Sequence, residues 1–158
     1  MSETLLDKAI KNYNVAVMVY NSMDGDEGYL NYIGYHLQQS VELGMKYFLE
    51  KNGVVYPKTH DIDQLIRIAD ENDVDLLATE YIREHSEMLS LWEARTRYVL
   101  NYQLEFSKVE RAMNGVDEYL DILQAADTKP ENAEPKDTEL KDTQPENTEP
   151  KETEPEDA

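Results

Sequence analysis

The chain has 158 residues, with 34 acidic side chains, 15 Lys or Arg and no cysteine. The lack of cysteine excludes a disulfide framework, a cysteine nucleophile and a thiolate metal site. The net charge of -19 argues against nonspecific binding to DNA or RNA, which needs a surface rich in Lys and Arg. No apolar run approaches the ~20 residues that span a bilayer, and the start of the chain does not resemble a signal peptide. We therefore expect a soluble, cytoplasmic protein that does not bind membranes.

The C-terminal segment, residues 127–158, differs in composition from the rest of the chain. It contains twelve acidic residues, five of the six prolines, no aromatic residue and a single large aliphatic residue, Leu140. Such a segment buries too little apolar surface to offset the entropy lost on ordering. Residues 128–142 also align with residues 143–157, with identity at ten positions. We predict a disordered acidic tail of low complexity.

Residues 1–126 are predicted to form one domain. They contain all eleven Tyr, both Phe and the only Trp, together with 22 acidic and 11 basic side chains. A chain of this length can bury a hydrophobic core. Apolar residues recur at helical spacing through most of it, which favours an all-α fold.

The first two predicted helices are long. The first starts near residue 2 and ends at the acidic loop 24–28, and the second covers about 29–52. Both carry apolar residues at three- and four-residue intervals along one face. Ser40 and Gly44 lie one turn apart on the second helix. These small residues would let a neighbouring backbone approach closely.

Three further helices are predicted. Thr59 is the expected N-cap of a short third helix, and the fourth covers about 74–98. Ser107 and Glu110 have the spacing of a capping box that starts the last helix. The last helix carries a continuous apolar stripe formed by Val109, Ala112, Met113, Val116, Tyr119, Leu120 and Leu123. The sequence thus predicts an antiparallel up-and-down four-helix bundle with one extra short helix.

A polar motif on the second helix and the segment after it resembles the signature of HEPN domains. In that family, a helix with the pattern H-x-Q-x-x-x-E-x-x-x-K leads through a Tyr-Pro turn into a T-H-D helix start. The matching residues here are YHLQQSVELGMK at 35–46, Gly53, YPKTHDI at 56–62, Leu65 and the pair Arg97 and Tyr98.

The resemblance implies a helical bundle that usually forms a homodimer. Such proteins are often encoded beside a minimal nucleotidyltransferase, as toxin–antitoxin or defence systems. The catalytic members are metal-independent ribonucleases with an Arg-x4-6-His motif. Here Arg95 and Arg97 are followed at that spacing by Tyr102 rather than by His. A phenol is a poor general base at neutral pH, so we expect a protein without catalytic residues or cofactor.

Two groups of residues are candidates for ligand binding. Gln39, Glu42 and Lys46 share a helix face, where Lys46 could hold an anionic group; the alternative is a polar stripe with a helical ion pair. His60 follows the expected cap Thr59, where it could instead serve a structural role by packing on Tyr56 or bonding backbone groups.

The second group is the most basic and aromatic part of an acidic domain. Arg95, Arg97, Tyr98 and Tyr102 could bind the phosphate and base of a nucleotide by bidentate contacts and stacking. The alternative is that the arginines interact with the end of a helix or pair with carboxylates. No acidic cluster has the spacing of a calcium loop, and we expect no bound metal.

Three functional hypotheses follow. The first is a dimeric HEPN-like binding protein whose partner is a nucleotidyltransferase or a nucleotide. The second is a degenerate ribonuclease built around Arg95, Arg97 and Tyr102. The third is an acidic protein that inhibits a nucleic-acid-binding partner by charge mimicry.

Overall fold

The computed structural model describes residues 2–128, which form α-helices and loops without any β-strand. The long helices pack as a bundle, as predicted; its described unit extends to residue 124, and beyond it the structure describes only the end of the last helix. The elements are α1 (Leu5–Ser22), a short 3-10 turn (Glu27–Tyr29), α2 (Leu30–Lys51), α3 (Ile62–Glu71), α4 (Glu80–Glu84), α5 (Ser86–Tyr98) and α6 (Phe106–Thr128).

Helix α2 lies at the centre of the bundle and contacts α1, α3 and α5. It packs most extensively against α1. At this contact the Ser40 hydroxyl donates a hydrogen bond of 2.8 Å to the carbonyl of Ala9. A Cβ atom at Gly44 would lie only 2.8 Å from Cδ1 of Leu123. A neighbouring backbone therefore comes close at Ser40, as predicted, whereas the atom close to Gly44 belongs to a side chain. The largest fully buried side chains are Trp92, Tyr119, Leu30, Ile33, Leu37, Met45, Leu49, Ile62, Leu65, Ile82, Leu89 and Leu123.

The starts of two helices differ from the prediction. Helix α3 is capped by Asp61, whose carboxylate accepts from the backbone N–H of Gln64 at 3.2 Å. The predicted cap, Thr59, instead accepts from the backbone N–H of Asp61 at 3.0 Å, in the turn before the helix. Helix α1 begins with a reciprocal capping box formed by Thr4 and Asp7. In both cases the side chain that reaches the free N–H groups decides where the helix starts.

The region predicted as the fourth helix departs from a continuous helix at two places. Residues 74–79 are not helical, and Leu77 has a left-handed backbone with a φ of 59°. The buried Tyr119 hydroxyl donates to the carbonyl of Leu76 at 2.8 Å, so a tertiary contact holds this segment out of helical geometry. A second break at His85 separates α4 from α5. Leu91 on α5 is 40% exposed.

The last helix starts before its predicted cap. Helix α6 begins at Phe106, so Ser107 lies within the helix. Glu110 forms no capping box and instead accepts a hydrogen bond of 2.6 Å from the Tyr20 hydroxyl. The predicted apolar stripe of α6 is buried, including Val116, Leu120 and Leu123, except for Met113, which is half-buried.

Helix α6 extends past the predicted end of the domain at residue 126. Helix α6 continues to Thr128 and thus includes the first two residues of the predicted tail. The rest of that tail lies outside the described residues. Within residues 2–128, no helix has the length and apolar character needed to cross a membrane.

Candidate functional site

A buried carboxylate, Glu42, is the centre of a polar network between α2 and α5. The residue is 2% exposed. Its carboxylate accepts hydrogen bonds from Nε2 of Gln38 at 2.8 Å, Nζ of Lys46 at 2.8 Å and Nδ1 of His60 at 3.1 Å. A buried charge is tolerated only when it is paired and hydrogen-bonded in this way.

Gln38, rather than the predicted Gln39, is the buried glutamine of this network. Gln38 is fully buried, and its Nε2 atom also donates to the carbonyl of His60 at 3.3 Å. Its Oε1 atom accepts from Nε2 of Gln39 at 2.7 Å, and Gln39 lies 3.5 Å from Glu42. The spacing of Gln38, Glu42 and Lys46 at successive four-residue steps could have identified Gln38, because such residues share one helix face.

His60 connects the loop before α3 to the two helices α2 and α5. Its Nδ1–H group donates to Glu42 on α2, and its Nε2 atom lies 3.7 Å from Oε2 of Glu93 on α5. The side chain is 55% exposed. His60 therefore sits between two buried carboxylates while part of its ring faces solvent.

Glu93 and Arg97 form the half of the network that lies on α5. The Nη2 group of Arg97 donates to the Glu93 carboxylate, and its Nε group donates to the Glu93 carbonyl at 2.9 Å. Glu93 was not among the predicted site residues. Its position four residues before Arg97 is the signal that could have found it. Since His60 also approaches Glu93, the predicted residues His60 and Arg97 share one carboxylate.

The guanidinium group of Arg97 lies between two tyrosine rings. Its central carbon is 4.8 Å from the ring centre of Tyr35 and 4.6 Å from that of Tyr98. One of its N–H groups donates to the Tyr98 hydroxyl at 3.0 Å. Cation–π contacts of this kind hold the guanidinium in a defined plane at the protein surface.

The ammonium group of Lys46 is engaged within the protein. Its side chain is 13% exposed, and Nζ lies 5.6 Å from the ring centre of Tyr56 in addition to its pairing with Glu42. The Tyr56 hydroxyl donates to Glu50 at 2.5 Å. Burial, helped by Glu50, raises the pKa of Tyr56, so the ring next to Lys46 remains neutral.

Arg95 and Tyr102, the remaining residues of the predicted basic and aromatic group, make no hydrogen bond or ring contact with Arg97. Arg95 is exposed, and its side chain makes no ion pair with any residue that the structure describes. The half-buried Tyr102 lines an open groove of about 420 Å³ together with Trp92 and Leu104. The four residues predicted as one cluster are therefore divided, and Arg97 contacts only Tyr98 among them.

Next to Arg97 the protein exposes an apolar and aromatic surface. We call it the Tyr–Arg surface and define it by Tyr32, Tyr35, Arg97, Tyr98, Val99 and Leu100. Leu100 is 86% exposed, Tyr98 70% and Tyr32 64%. The two segments that form it are joined because the Asn31 side chain bonds the carbonyl of Tyr102 at 2.6 Å and the N–H of Leu104 at 3.1 Å.

These features define an all-helical bundle with a buried acid–base network between its second and fifth helices. The family model of the HEPN domain matches residues 2–126. The chain therefore belongs to the HEPN domain family. Neither the curated proteins nor the solved structures contain a match to it.

Two pairs of aspartates, Asp61 with Asp63 and Asp73 with Asp75, could suggest a metal site. Asp61 caps α3, and Asp63 accepts a hydrogen bond from the Ser86 hydroxyl. Asp75 accepts from the N–H of Leu77 at 2.8 Å. Over the described part of the chain, no three His, Asp or Glu side chains are grouped as metal ligands.

Proposed function

We propose that this HEPN protein acts by binding rather than by catalysis. It associates with a second copy through the Tyr–Arg surface, and in that form it binds a partner protein of the nucleotidyltransferase type. The observation that carries the proposal is the exposure of Tyr98, Val99 and Leu100 at 70%, 50% and 86%. Contiguous apolar exposure of this kind on a soluble domain typically marks an interaction site.

A second copy of the chain is the occupant that the charge distribution favours. Residues 1–126 carry a net charge of -11, so most faces of two copies repel each other. The segments that form the Tyr–Arg surface, within 28–41 and 94–104, contain no Asp or Glu. Two copies can approach through this face without placing carboxylates opposite each other.

Arg97 gives the surface a polar anchor. Its guanidinium is fixed by Glu93 and by the rings of Tyr35 and Tyr98, and 36% of its side chain is exposed. Rigid arginine and tyrosine side chains are enriched among residues that dominate binding energy. The same arrangement can stack on the base of a nucleotide, which is a further candidate ligand.

The network beneath this surface supports a structural role for the acid–base residues. Lys46 and Arg97 are each paired with a carboxylate, and Nδ1 of His60 donates to Glu42. These contacts tie α2, the loop before α3 and α5 together. A network satisfied in this way holds the Tyr–Arg surface in place.

The degenerate ribonuclease is the second candidate, and one observation favours it. His60 and Arg97 both approach Glu93, so a histidine stands near an arginine although the Arg-x4-6-His spacing is absent. In this reading His60 would accept the 2'-hydroxyl proton and Arg97 would stabilise the developing charge on the phosphate.

The lack of cysteine allows a direct test of the proposed interface. A Leu100→Cys variant of the full chain carries one thiol, to which a nitroxide spin label is attached. Self-association through the Tyr–Arg surface predicts a short, defined distance between the two labels in the electron double-resonance signal. Val55→Cys is the matched control, because Val55 is 91% exposed and lies outside this surface. A short distance from Val55→Cys but not from Leu100→Cys would reject the proposed interface.

A further inference from the structure

A second group of cationic side chains shares no residue with the network of Glu42 and Glu93. It lies where the break between α4 and α5 meets the first turns of α6. A cavity of about 60 Å³ is lined there by Tyr81, His85, Met88, Lys108 and Arg111. None of these residues is acidic, although acidic side chains outnumber basic ones two to one in the domain.

The fold places these side chains by close packing of Tyr81 on α6. A Cβ atom at Gly115 would lie 2.3 Å from Cδ1 of Tyr81, so only glycine leaves room for the ring. Lys108, Arg111 and Gly115 are spaced three and four residues apart and share one face of the helix. The Tyr81 ring also stacks on His85, with ring centres 4.1 Å apart at 21°. The ring pair thus forms one wall of the cavity, and Lys108 and Arg111 stand beside it.

Three groups that line the cavity, the Tyr81 hydroxyl and the side chains of Lys108 and Arg111, have no acceptor among residues 2–128. Nδ1 of His85 donates to the carbonyl of Tyr81 at 2.9 Å, which leaves Nε2 of the ring for another partner. The hydroxyl of Tyr81 has no hydrogen-bond partner within residues 2–128, and Lys108 and Arg111 make no ion pair there. Burial raises the pKa of Tyr81 although the charge of Arg111 opposes the shift, so the hydroxyl keeps its proton.

The neighbouring carboxylates do not neutralise this group. Glu110, adjacent to Arg111 in sequence, accepts its hydrogen bond from Tyr20. Glu87 and Glu105 line the adjoining groove with Lys108, and neither comes within ion-pair distance of it. Two exposed, positively charged side chains therefore line a small cavity that has no carboxylate among its lining residues.

We propose that this cavity binds the phosphoryl group of a small organic phosphate whose apolar body lies in the adjoining groove. One water molecule needs roughly 10 to 15 Å³ of a cavity measured in this way, so about 60 Å³ accommodates one small oxyanion. The groove of about 420 Å³ shares Met88 and Lys108 with the cavity and is lined by Trp92, Leu91, Tyr102 and Leu104. Lys and Arg beside an apolar wall are the usual recognition elements for such a ligand.

Phenyl phosphate and inorganic phosphate are the probes that test this site. Each is titrated into the full chain at constant ionic strength, and the ring signals of His85 and Tyr81 are followed by proton–carbon NMR. We expect saturable shifts with both probes and tighter binding of phenyl phosphate, because only this probe fills the groove. Neutralising the two cations in the variant Lys108→Gln, Arg111→Gln should weaken binding at least about tenfold, since it removes the charge-assisted contacts.

The matched control removes the same charges elsewhere. Lys8 and Arg67 are exposed and lie on α1 and α3. The variant Lys8→Gln, Arg67→Gln should bind both probes as tightly as the natural sequence does. Equal weakening by the two double variants would show that only net charge matters and would overturn the proposal, as would shifts that do not saturate.

One further source of oxyanions is the chain itself. Carboxylates of residues 129–158 could occupy the cavity in place of a phosphoryl group. Replacing the Glu and Asp residues of that segment by Gln and Asn tests this source. Movement of the His85 and Tyr81 signals on that replacement, without added phosphate, would assign the cavity to the chain's own carboxylates and overturn the proposal. Unchanged signals are the result that we expect.

Discussion

The Nδ1 atom of His60 lies 3.1 Å from Oε1 of Glu42. This contact connects the loop before α3 to the middle of α2, and the other oxygen of the same carboxylate accepts from Lys46 at 2.8 Å. Glu42 is thus the residue on which a cation, an imidazole and the amide of Gln38 depend for their partner. Its loss would remove an acceptor from all three, although Gln38 would keep its hydrogen bond of 3.3 Å to the carbonyl of His60.

Replacing Glu42 by Ala should destabilise the domain strongly. Removing one member of a buried ion pair typically costs about 3 to 5 kcal/mol, because the remaining charge is left without a partner. Urea denaturation of the natural sequence, Glu42→Ala, Lys46→Ala and the double variant measures both the loss and the coupling. We expect the double variant to lose less than the sum of the two single variants.

An exposed carboxylate provides the control for this cycle. Glu71 lies at the end of α3 and is exposed, so Glu71→Ala should change the free energy of unfolding by less than about 0.5 kcal/mol. Equal small losses at Glu42 and Glu71 would show that the buried network does not stabilise the fold.

Local spacing accounts for those contacts of the candidate site that could be predicted from the sequence. Glu42 and Lys46 on α2, and Arg97 with Tyr98 on α5, are close in sequence, and their contacts follow from helical geometry. The pairing of His60 with Glu93 was not predictable in this way. It joins residues 33 positions apart and depends on how α2, α3 and α5 pack.

The errors in helix boundaries have a similar origin. The segment around Leu77 has apolar residues at helical spacing, yet the hydroxyl of Tyr119 takes the carbonyl of Leu76 as its acceptor. Burial of a tyrosine hydroxyl requires a hydrogen-bond partner, and this tertiary requirement outweighs local helix propensity. The stripe of α6 was predicted correctly except at Met113, because its other residues face the core.

Gly115 should not tolerate a side chain. A methyl group there would lie 2.3, 2.5 and 2.8 Å from three atoms of the rigid Tyr81 ring. Overpacking of this kind typically costs about 1 to 3 kcal/mol, against a gain of up to ~1 kcal/mol in helix propensity. We expect Gly115→Ala to unfold at a lower urea concentration than the natural sequence.

The adjacent exposed residue Asn114 serves for comparison. Asn114→Ala should leave the urea midpoint unchanged or raise it slightly, because alanine is the better helix former. A higher midpoint for both variants would show that the ring of Tyr81 moves away without cost.

His36 should make stability sensitive to mild acid. Burial lowers its pKa below the ordinary value of 6.5, and Nδ1 bonds Oδ1 of Asn12 at 2.7 Å. Below about pH 6.5 the unfolded chain therefore binds more protons at this residue than the folded chain does. The contribution of His36 to stability is complete above that pH and decreases as the pH falls toward the folded-state pKa.

Urea denaturation at a series of pH values between neutral and mildly acidic measures this effect. The free energy of unfolding of His36→Gln should fall less steeply over that range, since glutamine does not titrate. Parallel pH profiles for His36→Gln and the natural sequence would mean that the folded and unfolded chains protonate His36 equally.

The proposal of a protein without catalytic activity predicts no RNA cleavage. Purified protein incubated with single-stranded RNA in a chelator should give no products above background. Loss of a positioned general base typically slows a reaction by about 100- to 10,000-fold. Metal-independent cleavage that disappears in both Arg97→Ala and His60→Ala variants would establish the ribonuclease reading instead.

The most direct test of the central claim is the mass of the full chain in solution. Light scattering during size exclusion should report twice the chain mass of 18.3 kDa at tens of micromolar protein. Leu100→Glu, which places a charge in the middle of the Tyr–Arg surface, should return the mass to that of one chain. Val55→Glu, an equally exposed apolar position outside the surface, should leave the doubled mass unchanged. A natural sequence that elutes with the mass of one chain, or a Leu100→Glu variant that retains the doubled mass, would contradict the account.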